Sequence, residues 1–202
     1  MTAPITGPTL NVATLNGSYS SPSKTQGLID LILAQLGEHY TTEVTSINVT
    51  DLGPGFTGAL SRDDLDPSSL AAMEAVERAD LVIAASPVYR GSYSGLFKHF
   101  IDLIDQYALA NKPVILAATG GSDRHTLMID HELRPLFAFL QAHVSPTGIY
   151  ASSGDFAGQL ILNPQIHARV ELAVSDLAPV IAAQLAGRST TPGQTQEAGA
   201  RL

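Results

Sequence analysis

The chain has 202 residues, of which 45% are apolar and 15% charged, and its net charge is −8. That length suits one globular domain with a sizeable core. The acidic balance argues against non-specific nucleic-acid binding, which needs clustered Lys and Arg. The lack of cysteine excludes disulfides, thiolate nucleophiles and thiolate metal sites.

Both ends of the chain differ from its middle. Residues 1–9 form a predicted N-terminal extension without basic residues or a long apolar run, so we expect no signal peptide. The longest apolar stretches have the length of strands, far short of a membrane span, and we expect a cytoplasmic location. Residues 187–202 are polar and aperiodic and predict a disordered tail, which leaves one domain over residues 10–186.

Strand and helix candidates alternate along this domain. The predicted strands are Asn11–Leu15, Glu43–Val49, Asp80–Ser86, Pro113–Thr119 and His143–Tyr150. The predicted helices are Ser23–Gly37, Pro67–Ala79, Ser92–Tyr107, Arg124–Gln141 and Pro164–Ala186. The segment Thr50–Asp66 is predicted as a surface loop.

Three of these strands are nearly continuous apolar runs, which is typical of parallel strands covered on both faces. Five strand–helix units therefore predict the α/β class, as a three-layer sandwich around a five-stranded parallel sheet. A flavodoxin-like strand order of 2-1-3-4-5 suits this number of strands.

The first strand leads into a loop rich in hydroxyl groups. Ser18, Ser20, Ser21 and Ser23 precede Lys24 and Thr25, where a helix begins. Unpaired N–H groups and the helix dipole make such a helix N-terminus a good place for a phosphate. Lys24 is the only charged residue before Asp30, so no carboxylate of this segment would repel an anion.

Two further loops are expected beside it, because ligands of such sheets bind at the carboxyl ends of the strands. Ser86–Gly95 follows the third strand and carries Pro87, Tyr89 and Tyr93. Gly120-Gly121 follows the fourth strand and allows a flat ring to approach the backbone. A phosphate at one end and a planar group at the other describe a mononucleotide.

Known phosphate-binding motifs do not match the first loop. Gly17 stands seven residues before Lys24, whereas a P-loop requires six, and it lacks the companion glycines of a dinucleotide fingerprint. A low-molecular-weight phosphatase needs a cysteine here, and a response-regulator receiver needs acidic residues where this chain has Asn16 and Ser86.

Each loop also has a purely structural interpretation. Ser-rich loops often provide helix caps and turns, Tyr89 and Tyr93 can be ordinary half-exposed aromatics, and Gly120-Gly121 can be a tight turn. The coincidence of all three on one edge of the sheet favours a binding site.

Four groups of residues occur in a characteristic order: Gly17-Ser18 with Ser23-Lys24-Thr25, Ser86-Pro87-Val88-Tyr89, Tyr93-Ser94-Gly95 with Lys98, and Thr119-Gly120-Gly121. In these motifs the chain resembles the NAD(P)H-dependent FMN reductases of the flavodoxin-like superfamily over about residues 10 to 185. It is most similar to the reductases of two-component alkanesulfonate and methanesulfonate monooxygenases.

The resemblance implies a role for each motif. The FMN phosphate would be held by Ser18, Ser23, Lys24 and Thr25. The ribityl chain and ring would be lined by Pro87, Val88 and Tyr89, and the isoalloxazine edge by Thr119, Gly120 and Gly121. Many relatives have an arginine where this chain has Ser20, so Lys24 would supply the cation, as a point charge that weakens flavin retention.

The helix Arg124–Gln141 has a counterpart in these reductases that contains an inserted residue, a π-bulge, beside the flavin at a tetramer interface. The matching position here is His131, next to Asp130, and such bulges often mark function. The alternative is an ordinary surface or interface histidine. A metal site of His125 and His131 is disfavoured, because six residues separate them and place them on opposite sides of a regular helix.

The resemblance therefore implies an NAD(P)H:FMN oxidoreductase that uses FMN with NADPH or NADH and supplies a flavin-dependent monooxygenase. No protein side chain is expected as general acid or base, and Arg90 or Arg124 is a candidate for the dinucleotide phosphates. Apolar residues on the Ser92–Tyr107 and Arg124–Gln141 helices predict a homo-oligomer, a dimer or tetramer. A quinone or azo reductase with permanent FMN, a flavodoxin-like electron carrier and a structural protein with an empty site remain alternatives.

Overall fold

The computed structural model describes residues 8–189. Residues 1–7 of the predicted extension and residues 190–202 of the predicted tail lie outside the described residues. The last helix continues to Ser189 and so passes the expected domain end at residue 186.

A parallel sheet forms the middle layer. Its strands are β1 (Leu10–Asn16), β2 (Thr42–Asn48), β3 (Leu81–Pro87), β4 (Pro113–Gly120), β5 (His143–Val144) and β6 (Ile149–Ser152). The order is β2-β1-β3-β4-β5, and β6 also pairs with β4. The predicted 2-1-3-4-5 order is confirmed, and it brings the carboxyl ends of β1, β3 and β4 side by side.

Helices cover both faces of the sheet. The α-helices are α1 (Lys24–Gly37), α2 (Gly53–Thr57), α3 (Pro67–Arg78), α4 (Gly95–Leu103), α5 (Arg134–Phe139) and α6 (Pro164–Ser189). The helices α1 and α6 bury their apolar side chains on one face. The opposite face is covered by α2 to α5, whose fully buried rings include Phe56, Phe97, Phe100 and Phe137.

The helix α6 is long and apolar enough to span a membrane by length and composition alone. Its side chains Val170, Leu177 and Ile181 are nevertheless completely buried in the core against the sheet. This is the packing of a core helix in a globular domain.

The prediction of a single strand over His143–Tyr150 is wrong, because two strands, β5 and β6, occupy this segment. Val144 pairs with Val114 and Ile149 pairs with Ala117, so five steps along this chain oppose three along β4. The extra residues surround Pro146, which has no N–H for the ladder. The Arg134 guanidinium binds the carbonyl oxygens of Ser145 and Pro146 instead, at 2.9 and 3.1 Å.

The predicted helix Arg124–Gln141 is divided into three parts. A 3-10 turn at Asp123–His125 precedes a π-helical turn at Ile129–Leu133, and α5 follows. The N–H of Arg134 donates to the carbonyl of Ile129, five residues back. Pro135 has no N–H for the carbonyl four residues before it, so a regular helix would lose a hydrogen bond at this point. The expected bulge at Asp130–His131 is present.

Two other segments differ from expectation. The predicted loop Thr50–Asp66 contains α2 and a 3-10 turn at Arg62–Asp64, because Phe56 anchors it in the core. A hairpin of β7 (Phe156–Ala157) and β8 (Leu160–Ile161), which was not predicted, packs beside α1. The helix predicted from Ser92 begins only at Gly95, since Ser94 caps it by accepting the N–H of Phe97.

Candidate active site

The loop after β1 is organised by the side chain of Asn16. Its Oδ1 accepts the N–H of Ser18 at 3.0 Å, and its Nδ2 donates to Gln26 and Asn48, each at 3.1 Å. Asn16 is almost fully buried, so these bonds compensate its lost hydration. The chain direction at the start of the hydroxyl-rich loop is thereby set.

The N-terminus of α1 closes the same loop. The hydroxyl of Ser23 accepts the N–H of Gln26 at 3.0 Å and caps the helix. The N–H groups of Lys24 and Thr25 precede the first intrahelical donor and have no acceptor within the helix. The Thr25 hydroxyl lies 2.8 Å from that of Thr119 and joins this loop to the end of β4.

The loop after β3 is tied to both neighbours. Ser94 donates its hydroxyl to the carbonyl of Gly17 at 2.7 Å, and its N–H binds the hydroxyl of Ser86 at 3.0 Å. The N–H of Val88 donates to the carbonyl of Thr119 at 2.8 Å. The three loops therefore form one hydrogen-bonded rim.

The turn after β4 is braced from below by Tyr150. Its hydroxyl donates to the carbonyl of Ser122 at 2.6 Å, and a Cβ on Gly120 would lie only 2.0 Å from that hydroxyl oxygen. Burial, with smaller contributions from Asp123 and Asp155, raises the pKa of Tyr150. The phenol therefore stays protonated as a donor, and glycine is required beside it.

These loops surround a cleft of about 280 Å³. All ten predicted cofactor-binding residues line it: Ser18, Ser23, Lys24, Thr25, Pro87, Val88, Tyr89, Thr119, Gly120 and Gly121. The lining also includes Ser20, Pro22 and Ser153, which were not among the predicted binding residues. Ser153 comes from the segment after β6, and only the tertiary fold brings it here.

Charge is distributed unevenly in this cleft, which we call the flavin cleft after the ligand that the sequence resemblance implies. Lys24 is the one charged residue in its lining, and none of the lining residues is acidic. The ammonium of Lys24 lies 3.5 Å from the carbonyl of Ser153 and 5.5 Å from the ring centre of Phe156. The cation is thus held at the hydroxyl-rich end of the cleft.

Two aromatic rings connect the loop after β1 to the loop after β3. Tyr19 stacks on Tyr89 with ring centres 5.1 Å apart, and its hydroxyl accepts the N–H of Leu96 at 2.8 Å. Tyr19 was not predicted as part of the site. Its position directly after Ser18 was the available signal.

A larger cavity of about 560 Å³ lies elsewhere, near the start of β1, and is lined by Asn11, Glu43 and Arg78 among others. It shares no residue with the flavin cleft. Since ligands of doubly wound sheets bind at the carboxyl ends of the strands, the smaller cleft is the candidate active site.

Comparison with known proteins agrees with this geometry. Residues 10–157 match the family model of NADPH-dependent FMN reductases. The chain belongs to this family. It is 47% identical to the NADH-dependent FMN reductase SfnF of Pseudomonas fluorescens over 87% of this chain and 94% of that protein. It is 44% identical to an FMN reductase (NADPH) of Pseudomonas aeruginosa, with the same two coverages.

Two solved oxidoreductase structures have the same fold. An oxidoreductase from Corynebacterium diphtheriae superposes with a TM-score of 0.75 at 31% identity, covering 87% of this chain and 98% of the other. The apo form of the NADH:FMN oxidoreductase EmoB has a TM-score of 0.74 at 27% identity, covering 86% of this chain and 89% of the other. This FMN reductase family member is accordingly an NAD(P)H:FMN oxidoreductase, and its cofactors are FMN and NADH or NADPH.

The lining residues fit the chemical groups of FMN. Hydroxyl groups, helix N–H groups and one ammonium are concentrated at one end and suit a phosphate dianion. At the other end, a Cβ added to Gly121 would meet no atom within 4 Å, so space is left beside the backbone for a planar ring. The absence of acidic side chains from the lining agrees with an anionic ligand.

Proposed function

We propose that this FMN reductase reduces freely exchanging FMN and delivers the reduced flavin to a partner flavin-dependent monooxygenase. The observation that carries the proposal is the flavin cleft, whose single cation is the Lys24 ammonium, a point charge, where an arginine would give a bidentate phosphate contact. Relatives named as FMN reductases support it, since their product is a reduced flavin that needs an acceptor.

In this proposal each loop contributes a defined contact. Ser18, Ser23, Lys24 and Thr25 bind the phosphate through hydroxyl, N–H and ammonium donors. The second and third loops bind the rest of the flavin, through Pro87, Val88 and Tyr89 and through Thr119, Gly120 and Gly121.

When bound, FMN supplies the redox chemistry by accepting a hydride from the reduced nicotinamide. The protein contributes binding and orientation. Backbone N–H groups of the Thr119–Gly121 turn are suited to favour negative charge on the ring edge, because fixed donors need no reorganisation. The exposed Arg90 and Arg124 flank the rim and are our candidates for the dinucleotide phosphates.

The proposal includes a homo-oligomer. The apolar residues that predicted an interface are Leu96, Phe97, Phe100, Ile101 and Ile104 on the first helix and Leu133, Leu136, Phe137, Phe139 and Leu140 on the second. Most of them are buried within the monomer, and only Phe139 is largely exposed, at 67%. Leu127 adds a further exposed side chain at 61%, and Leu96 and Leu136 are half-buried. The proposed interface therefore centres on α5 and on the segment just before the π-helical turn rather than on α4.

The proposal also includes a cytoplasmic location. Within the described residues, α6 is the one helix that is long and apolar enough to span a membrane, and its buried apolar side chains pack in the core.

Steady-state oxidation of NADH and NADPH, with and without added FMN, tests the proposal. We expect saturable dependence on free FMN and little flavin in the purified protein. Stoichiometric flavin after purification, with quinone or azo-dye reduction independent of added FMN, would instead indicate a reductase with permanent FMN. Flavin binding without nicotinamide oxidation would indicate an electron carrier.

A further inference from the structure

A hydrogen bond joins the π-helical turn to the loop after β3. Ser92 donates its hydroxyl to the Glu132 carboxylate at 3.0 Å, across 40 positions of sequence. Ser92 also closes a tight turn, because Tyr89 and Ser92 exchange N–H···O=C bonds of 2.8 and 3.1 Å. The carboxylate thus holds the base of the turn that begins at Tyr89, a residue of the flavin cleft.

This turn has an unfavourable backbone. Arg90 and Gly91 have φ values of +53° and +92°, and Arg90 is not a glycine. A non-glycine residue in the left-handed region persists only where surrounding contacts impose it. The carboxylate of Glu132 is such a contact, and hydrogen bonds to a charged group are stronger than neutral ones.

The π-helical turn positions Glu132. One additional residue in a helical turn rotates every following side chain by about 100° relative to the residues before it. Arg134 fixes this register by binding Asp130 at 2.9 Å and the carbonyl oxygens of Ser145 and Pro146. The π-helical turn therefore holds Glu132 against the loop after β3, while Arg134 anchors the same turn to the segment between β5 and β6.

We propose that Glu132 is a positioning residue that holds the Tyr89–Ser92 turn in its flavin-binding conformation, and so couples the π-helical turn to flavin affinity. This inference rests on the proposed function, because it takes the cleft as the FMN site. In this inference, the role of the bulge is structural: its extra residue orients the Glu132 carboxylate toward the Tyr89–Ser92 turn.

Loss of the bond should weaken flavin binding through the ring end of the site. In Glu132→Ala and Ser92→Ala the Tyr89–Ser92 turn is no longer held before flavin binds, so binding must also order it. We therefore expect the dissociation constant of the flavin to rise about tenfold. The effect should be equal for FMN and riboflavin, because Tyr89 is not among the phosphate donors. The double variant Ser92→Ala/Glu132→Ala should be no weaker than either single variant, since both remove the same bond.

Two further variants separate the hydrogen bond from other effects. Glu132→Gln removes the charge but keeps an acceptor oxygen. Because a neutral acceptor gives a weaker hydrogen bond, we expect a loss of about threefold, between the parent and Glu132→Ala. Glu74→Ala, which removes a carboxylate that pairs with Arg78 on α3, serves as the matched control and should leave flavin binding unchanged. Fluorescence titration gives the affinities, and thermal unfolding gives the stability of each variant.

The possible outcomes distinguish failure of this inference from failure of the proposed function. Additive losses in the double variant, or Glu132→Gln as weak as Glu132→Ala, would overturn the coupling through this bond. A selective loss of FMN over riboflavin would also overturn it, because the effect would then lie at the phosphate end. If the parent protein itself binds no flavin, the proposed function fails before any variant is compared.

Discussion

Ser18 lies at the start of the hydroxyl-rich loop with only 6% of its surface exposed. Its N–H donates to Asn16, and its hydroxyl accepts the N–H of Ser20 at 3.2 Å. The residue therefore shapes the loop as well as lining the flavin cleft. A change here tests directly whether the phosphate binds at this end.

The substitution Ser18→Asp should sharply weaken FMN binding, by about tenfold or more, because it places a carboxylate beside the flavin phosphate. Riboflavin lacks the phosphate and should lose far less affinity. Fluorescence titration with both flavins measures the difference. Equal losses would show that the substitution only distorts the loop and that the phosphate binds elsewhere.

Asp155 secures the segment that brings Ser153 to the cleft. Burial raises the pKa of Asp155, but hydrogen bonds from Asn163 and from the N–H and hydroxyl of Ser152 outweigh it and lower the pKa below its usual 3.8. A carboxyl with a lowered pKa in the folded state stabilises the protein above its unfolded pKa. That contribution is lost as the pH falls below 3.8 through the folded value.

The variant Asp155→Asn should therefore unfold more easily than the parent at neutral pH, by about 1 kcal/mol. The difference should shrink as the pH falls below 3.8, where the parent carboxyl also becomes protonated. Denaturant unfolding at a series of pH values measures it. A difference that stays constant from neutral to strongly acidic pH would exclude the charge of Asp155 as the cause.

At the level of elements, the π-helical turn interrupts what would otherwise be one helix. Ile129, Leu133 and Phe137 are all buried at intervals of four residues. Pro135 removes one hydrogen-bond donor directly after the turn. A Cβ on Gly148 would come within 2.5 Å of Ile129, so the turn also packs tightly against the start of β6.

Deletion of His131 should give a folded protein with a more regular helix. Leu133 and Phe137 would then follow Ile129 at intervals of three and seven, which still place them on one face. The deletion also rotates Glu132 by about 100° away from the Ser92 hydroxyl, so we expect weaker FMN binding and lower turnover of free FMN. Fluorescence titration with FMN and steady-state kinetics provide the two measurements.

Two results would contradict this expectation. Unfolding of the deletion variant would mean that the helix needs the extra residue for its packing. Folding with parental turnover of free FMN would mean that His131 has no part in flavin exchange and is an ordinary surface or interface residue.

At the level of the whole molecule, two exposed apolar side chains predict self-association: Leu127, just before the π-helical turn, and Phe139, at the end of α5. Phe139→Glu places a charge on the proposed interface without disturbing the core, since this ring is 67% exposed. We expect the variant to be a monomer by light scattering at micromolar concentration. Leu172→Glu changes a similarly exposed residue, at 52%, on α6, and should leave the oligomer intact. A monomeric parent protein would contradict the prediction.

The sequence alone predicted the sheet and the location of the candidate site. Apolar runs in β1, β3 and β4 indicated buried parallel strands, and the loops after them carried the ten cofactor-binding candidates. These features are local, because strand periodicity, caps and glycine-rich turns depend on neighbouring residues. The same rules placed α1 and α3 within a residue or two of their observed ends.

The tertiary structure decided what depends on contacts between distant segments. Phe56 turned a predicted loop into a short helix, Pro146 and Arg134 divided the fifth strand, and Ser153 reached the cleft from beyond β6. The bond from Ser92 to Glu132 spans 40 positions and leaves no local signal in either segment. Burial and long-range hydrogen bonds outweigh local propensity at such places, because they fix side chains whose neighbours in space are remote along the chain.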